Sequence, residues 1–369
     1  MTSTPSAGDP IVAARAWISD IAVETVRTDA IQAFLKQETI FVEITTATGV
    51  QGLGYSYTIG MGGTSVLALL ESTILPLLLG QDAHRPEAVW RSCFAAIRST
   101  TGGVIAALAL AAVDTAVWDA RSRSTGVPLW KLAGGADRSI PVYDTEGGWL
   151  HLSEEELVAQ ALATKARGLS GVKIKVGRPD PHEDLDRLRA VREAVGPAFD
   201  IMVDANQSFT VAQAVRRARL FEEVDLYWFE EPLHADDVSG HAALSQRSTI
   251  PVAVGESLYS IGRFRDYLER GAASIVQVDV ARIGGITPWL KVAHLAEAFG
   301  VDVAPHFLME LHLPLVAAIP NGLYLEHIPQ LRTLTSEQVR IVDGRAETSD
   351  APGLGIVWDR DAIRRARVS

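Results

Sequence analysis

Residues 171–177 read GVKIKVG. A short β-branched run between glycines is the signature of a buried strand. Lys173 and Lys175 stand in its middle, two residues apart, so both side chains leave the strand on the same face. Lysine is rarely buried without a partner. The neighbouring strands therefore have to supply negative charge.

The chain around this stretch repeats its rhythm. IPVY, DIMV, LYWF, IPVAV, SIVQV, VDVA and LYL are short apolar runs separated by amphipathic helical stretches. The first of these helices opens on a capping box, Ser153 with Glu156 three residues on. Eight strands alternating with helices predict a parallel α/β fold, and their number favours a (β/α) barrel over an open doubly wound sheet. No G-x-G-x-x-G follows a strand, so a dinucleotide site is not supported.

Seven successive strands, from the second on, carry an ionisable residue at or just past their ends. After Lys175 come Asp204, Glu230, Glu256, Asp279, His306 and Glu326, at gaps of 29, 26, 26, 23, 27 and 20 residues. In a barrel the carboxyl ends of all strands meet at one mouth, so these side chains are expected to face one pocket. Asp204, Glu230 and Glu256 form a hard oxygen donor set suited to Mg²⁺. The two lysines lie to one side of it in strand order, Asp279 and His306 to the other. A metal between two potential bases predicts proton transfer at a carbon held over the metal. Lys173 is expected to lower the pKa of Lys175 by charge repulsion in a partly dry pocket.

The N-terminal part differs. Residues 10 to 60 are strand-like, with a turn signal at TGVQG, and 63 to 125 are helical and rich in Ala and Leu. Strands followed by helices predict a separate α+β domain. The expected organisation is a loose tail at 1–9, a capping domain at 10–135, the barrel at 136–335, and a C-terminal segment at 336–369 returning to the capping domain. Glu71 and Pro76 interrupt one apolar stretch and Asp114 another, so both are expected as buried amphipathic helices rather than membrane spans. Net charge is −11, which points away from nucleic acid and acidic membranes. A single cysteine, Cys93, and a start without signal-peptide character predict a cytoplasmic protein.

Over nearly its whole length the chain resembles the enolase superfamily, in its mandelate racemase subgroup. The resemblance rests on AAVDTAVWDARSRSTGVPLWKLAGG, the K-x-K of GVKIKVG, IMVDANQS, WFEEP, VGES, VDVARIGGIT and PHFLMELH, in that order. It implies a (β/α)7β barrel with an α+β capping domain, and one Mg²⁺ per subunit on Asp204, Glu230 and Glu256. It implies Lys175 as base on one face of the substrate α-carbon and His306, paired with Asp279, on the other. Lys173 would tune Lys175 and contact the substrate carboxylate, and Glu326 would hydrogen-bond that carboxylate. Asn206, Thr145, Glu146 and Tyr57 would meet the substrate, with Glu231, Arg282 and Glu310 as polar support. Trp149, Tyr57 and Phe307 could form an apolar wall.

The resemblance leans toward dehydratases of the talarate/galactarate type. They eliminate water from a sugar acid to a 2-keto-3-deoxy acid, with epimerase activity as a side reaction. The alternatives are a 2-hydroxy-acid racemase or a catalytically silent relative. A homo-oligomer is implied. The loop YSYTIGMGGTS, which closes over the site in this family, carries no Lys or Arg here. Arg27 and Lys36 are the cations nearby that could meet a second substrate carboxylate.

Overall fold

A computed structural model describes residues 8–369. Strands β1 (Ile11–Thr28), β2 (Ala33–Thr46) and β3 (Gln51–Thr58) form an antiparallel meander. Helix α1 (Gly63–Leu69) runs through a π turn (Leu70–Ile74) into α2 (Leu75–Leu78), followed by α3 (Pro86–Ile97), α4 (Val104–Thr125) and α5 (Leu129–Leu132).

Helix α4 departs from expectation. It is not amphipathic: from Ala106 to Ala120 every residue is buried. It lies between the capping sheet and the barrel, so it has no solvent face. Its acidic residues are ties. Asp114 accepts from the Thr287 backbone N–H (2.8 Å) and hydroxyl (2.7 Å) on the barrel side. Asp119 accepts from the N–H of Leu53 and of Leu354, both at 2.9 Å. The sheet approaches this helix so closely that a Cβ on Gly54 would stand 2.2 Å from the Ala116 nitrogen.

The barrel follows in chain order. Its strands and helices are β4 (Ser139–Asp144), α6 (Glu154–Ala166), β5 (Gly171–Lys175), α7 (Pro181–Val195), β6 (Asp200–Asp204), α8 (Val211–Phe221) and β7 (Trp228–Glu230). Then come α9 (Val238–Ser245), β8 (Val252–Val254), α10 (Ile261–Glu269), β9 (Ile275–Val276), α11 (Ile286–Ala298), β10 (Asp302–Val303), α12 (Met309–Val316) and β11 (Leu325–His327). Strands β4 to β10 are parallel neighbours in sequence order, and β11 pairs with β4. The chain entering β11 also bridges β10, Val303 to Gly322, and this closes the ring. All eight strands read from the sequence are present, and the capping box of α6 is formed.

The C-terminal segment first makes a hairpin, β12 (Ile341–Val342) and β13 (Arg345–Glu347), which pairs antiparallel with the first barrel strand. This hairpin is an addition to the expected organisation. Beyond it Trp358 packs edge-on against Phe41 and Tyr55 of the capping sheet. After α13 (Arg360–Arg365), Val368 and Ser369 exchange backbone hydrogen bonds with Ile18.

Of the expected tail, residues 1–7 lie outside the described residues. Asp9 does not belong to a loose tail: it is buried and accepts from the Thr48 N–H (3.1 Å) and hydroxyl (2.6 Å). No helix among the described residues is long and apolar enough to cross a membrane.

Gly54→Ala forces the sheet off α4 and should destabilise the protein by about 1–3 kcal/mol or more, the usual range for overpacking. Denaturant unfolding checks this. An unchanged midpoint would show that sheet and helix can part without cost.

Candidate active site

One local pattern builds the site. Tyr143, Met202, Trp228, Ala253, Ile275, Ala304 and Tyr324 fill the barrel interior as a packed floor. Two residues beyond five of them, on the same face, stand Thr145, Asp204, Glu230, His306 and Glu326. A dry floor thus carries a polar ring at the C-terminal mouth.

Asp204, Glu230 and Glu256 bring carboxylate oxygens within 4.8 Å of one another, all buried. Trp228 Nε1 (3.1 Å) and Gln277 Nε2 (2.6 Å) both donate to Oε2 of Glu230 and fix its plane. Oε2 of Glu256 is buried without a hydrogen-bond partner; His306 Nε2 lies 3.2 Å away but is not aligned as a donor to it. Burial, and then the charge of Asp204, push the Glu230 carboxyl up to about 7. Converging carboxylates with an orphaned oxygen, and no sulfur ligand among them, fit a hard divalent cation such as Mg²⁺.

The two lysines enter the same cluster. Lys173 Nζ is 2.8 Å from both Glu230 Oε1 and Glu326 Oε1. Lys175 pairs with Asp204 and donates to Asn206 Oδ1 at 2.9 Å. The expected lowering of the Lys175 pKa depends on whether Asp204 is engaged by Lys175 or by the metal. Burial favours the neutral amine and Lys173 pushes the same way, but contact with Asp204 outweighs both, and the net shift is upward. The charge of Lys173 is directed mainly at Glu230 and Glu326, not at its neighbour.

On the opposite flank, His306 Nδ1 lies 2.9 Å from Asp279 Oδ2. The N–H groups of Ala281 (2.7 Å) and Arg282 (3.0 Å) hold the other Asp279 oxygen. Burial opposes its charge, yet His306 and Arg282 hold the Asp279 carboxyl far below the usual range. Tyr57, expected at the substrate, lines the cavity, but its hydroxyl donates to Asp279 Oδ2 at 2.7 Å. A capping-domain side chain therefore helps orient the His306–Asp279 pair.

Glu326 accepts from the Thr145 hydroxyl (2.7 Å) and the Phe307 N–H (2.6 Å) besides Lys173. Thr145 and Asn206 line the cavity as expected, and so do Trp149 and Phe307. Glu146 does not. It sits behind Arg27, pairing with that guanidinium, and accepts from Trp149 Nε1 at 3.3 Å. Arg282 Nη1 donates to the Glu256 carbonyl at 3.0 Å and so links that carboxylate's strand end to the Asp279 flank. Glu231 is buried beside Glu256 with one oxygen unpartnered. Glu310 lines a different cavity, beside Trp130 and Leu313. Sequence reading missed Asp29, Gln32 and Phe34, which line the site from the β1–β2 turn and the start of β2. Their one signal is polar residues in a turn between long strands.

Comparisons with known proteins agree with this geometry. The family described as "Mandelate racemase / muconate lactonizing enzyme, N-terminal domain" matches residues 18–134, and "Enolase C-terminal domain-like" matches 156–362. The chain is 39% identical over 325 residues to the L-talarate/galactarate dehydratase of Salmonella typhimurium, covering 88% of this chain and 81% of that protein. The structure of that dehydratase with Mg and L-lyxarohydroxamate superposes with a TM-score of 0.94 at 35% identity, over 100% of this chain and 96% of the other. The 3,6-anhydro-alpha-L-galactonate cycloisomerase of Streptomyces coelicolor is 38% identical over 337 residues, 91% of this chain and 93% of that protein. A magnesium-bound racemase structure from Streptomyces coelicolor gives a TM-score of 0.93 at 36% identity, over 97% of this chain and 100% of the other. The chain belongs to the mandelate racemase/muconate lactonizing enzyme family of the enolase superfamily. It is an enzyme of that family, and its Asp204–Glu230–Glu256 triad is placed to hold a metal such as the magnesium those two neighbouring structures carry.

Metal ligation requires the carboxylates deprotonated. With Glu230 pushed up to about 7, Mg²⁺ affinity measured by calorimetry should rise with pH through that value and level off above it. Glu230→Gln should abolish the heat of binding while circular dichroism stays unchanged. An affinity flat from acidic to alkaline pH contradicts the coupled cluster.

Proposed function

We propose that this enzyme dehydrates a sugar acid, removing its α-proton and β-hydroxyl to give a 2-keto-3-deoxy acid. The observation that carries the reading is the pairing of Lys175 and Asp279-anchored His306 in one cavity that Glu256 of the carboxylate triad also lines. Relatives named as a dehydratase and as a cycloisomerase of sugar-acid derivatives support it.

Asp204, Glu230 and Glu256 would hold the Mg²⁺, which would supply stabilisation of negative charge at the substrate carboxylate. The chain's own residues do the rest. Lys173 adds a fixed cation beside that carboxylate, and Glu326 and Thr145 hold Lys173 in line. These donors are in place before reaction, so charge developing on the enediolate needs no reorganisation. Lys175 comes from β5, whereas His306 follows β10, three strand steps away by the shorter way round the ring. One takes the α-proton; the other delivers a proton to the departing β-hydroxyl. For His306 the proton moves at Nε2, because Nδ1 faces Asp279. Tautomerisation of the released enol gives the keto acid.

Incubation with Mg²⁺ and a panel of sugar acids should yield 2-keto acids detectable as semicarbazones. His306→Asn should lower kcat by about 10²–10⁴, the usual worth of a positioned acid–base group. Inversion at the α-carbon with no keto acid from any sugar acid would instead make this a racemase.

A further inference from the structure

The half of the cavity away from the carboxylate triad is supplied by the capping domain, through Arg27, Asp29, Gln32, Phe34 and Ile59. A substrate whose carboxylate lies at the triad places its far end against these residues. Their charge decides what that end can be.

Arg27 is the one fixed cation among them, and it is already matched. It is 5% exposed, and both Glu146 oxygens accept from it, Oε2 at 3.2 Å from Nε. Gln330 accepts from its Nη1. Asp29 adds a half-buried carboxylate to the capping-domain side of the cavity, within reach of the charges of Lys175 and Asp204. Lys36 does not contribute: it is turned to Asp20 (3.0 Å) and Glu38 (3.6 Å) and does not line the cavity. The other fixed cations of the cavity, Lys173, Lys175 and Arg282, are paired to carboxylates of the catalytic ring. At the far end Arg27 is therefore already matched by Glu146, and Asp29 adds negative charge on the capping-domain side of the cavity. A second substrate carboxylate would be a further anion there, partly desolvated, which is costly. A hydroxyl meets no such barrier. A guanidinium has five N–H groups, of which three are taken here, leaving two to donate to a neutral oxygen. Asp29 and Gln32 accept from a hydroxyl.

Resting on the dehydratase reading, we infer that the Arg27–Glu146 pair selects monocarboxylic sugar acids, with a hydroxylated far end, over dicarboxylic ones. Glu146 is the specificity-determining residue, acting through Arg27.

The test uses matched pairs of aldonate and aldarate of the same configuration, with the Mg²⁺-loaded enzyme. Two readouts are taken: α-proton exchange in D₂O, and keto-acid release. The aldonate should be preferred by about 10²-fold or more in kcat/KM, as for a mismatched buried polar group. Glu146→Gln frees the charge of Arg27 and should shift the ratio toward the aldarate about tenfold or more, as for a charge pair at an interface. Should that variant not fold, the wild-type ratio decides alone. Equal or faster exchange with aldarates overturns the inference, and keto acid released from them leaves the dehydratase reading intact. Aldonate exchange without keto acid does the reverse. Exchange with neither class overturns both, and an unchanged ratio in folded Glu146→Gln removes Glu146 as the selecting residue.

Discussion

Lys173 holds its ammonium 2.8 Å from Glu230 and 2.8 Å from Glu326 at 1% exposure, and the barrel mouth is organised around that contact. Asp204, Glu230, Glu256, Asp279 and Glu326 are all buried at this mouth. Such a cluster is tolerable only where cations are fixed among the carboxylates. Removing one member of a buried pair costs about 3–5 kcal/mol, because the survivor stays buried and uncompensated. Lys173 cannot withdraw, since Tyr143 of the floor packs beneath it, 5.6 Å away. The same constraint that keeps the barrel folded therefore keeps the donors preorganised.

The capping domain is part of this electrostatic design and not only a cover. Tyr57 reaches Asp279, and Arg27 reaches Glu146 and Gln330. Both contacts cross from the meander to the barrel. Helix α4, anchored through Asp114 to Thr287 and through Asp119 to Leu53, sets how closely the two parts approach. Packing far from the chemistry thus fixes where two polar side chains meet the site.

The barrel and the ring of ionisable residues were legible in the sequence because they are local. A strand has period two, so a floor residue and a functional residue share a face, as Met202 and Asp204 do or Trp228 and Glu230. The contacts not legible join distant positions: Tyr57 and Asp279 are 222 residues apart, Arg27 and Glu146 are 119. No local pattern encodes them, so neither the Asp279 contact of Tyr57 nor the Arg27 contact of Glu146 can be read from the sequence. Helix α4 is buried on all sides rather than amphipathic, and an Ala-rich run carries too little periodicity to show this in sequence. The direction of the Lys175 shift is not legible in sequence for another reason. Its sign depends on whether Asp204 or Lys173 lies closer, and sequence spacing gives direction along a strand, not distance between side chains.

In the proposed mechanism two groups on different strands each handle a proton at one carbon. Proton NMR in D₂O, with Mg²⁺ and both α-epimers of a turned-over sugar acid, tests it most directly. In Lys175→Ala, α-proton exchange should vanish for one epimer and persist for the other; in His306→Asn the pattern should reverse. If both variants kept exchange on both epimers, Lys175 and His306 would not be the two proton-transfer groups, and the account would be contradicted.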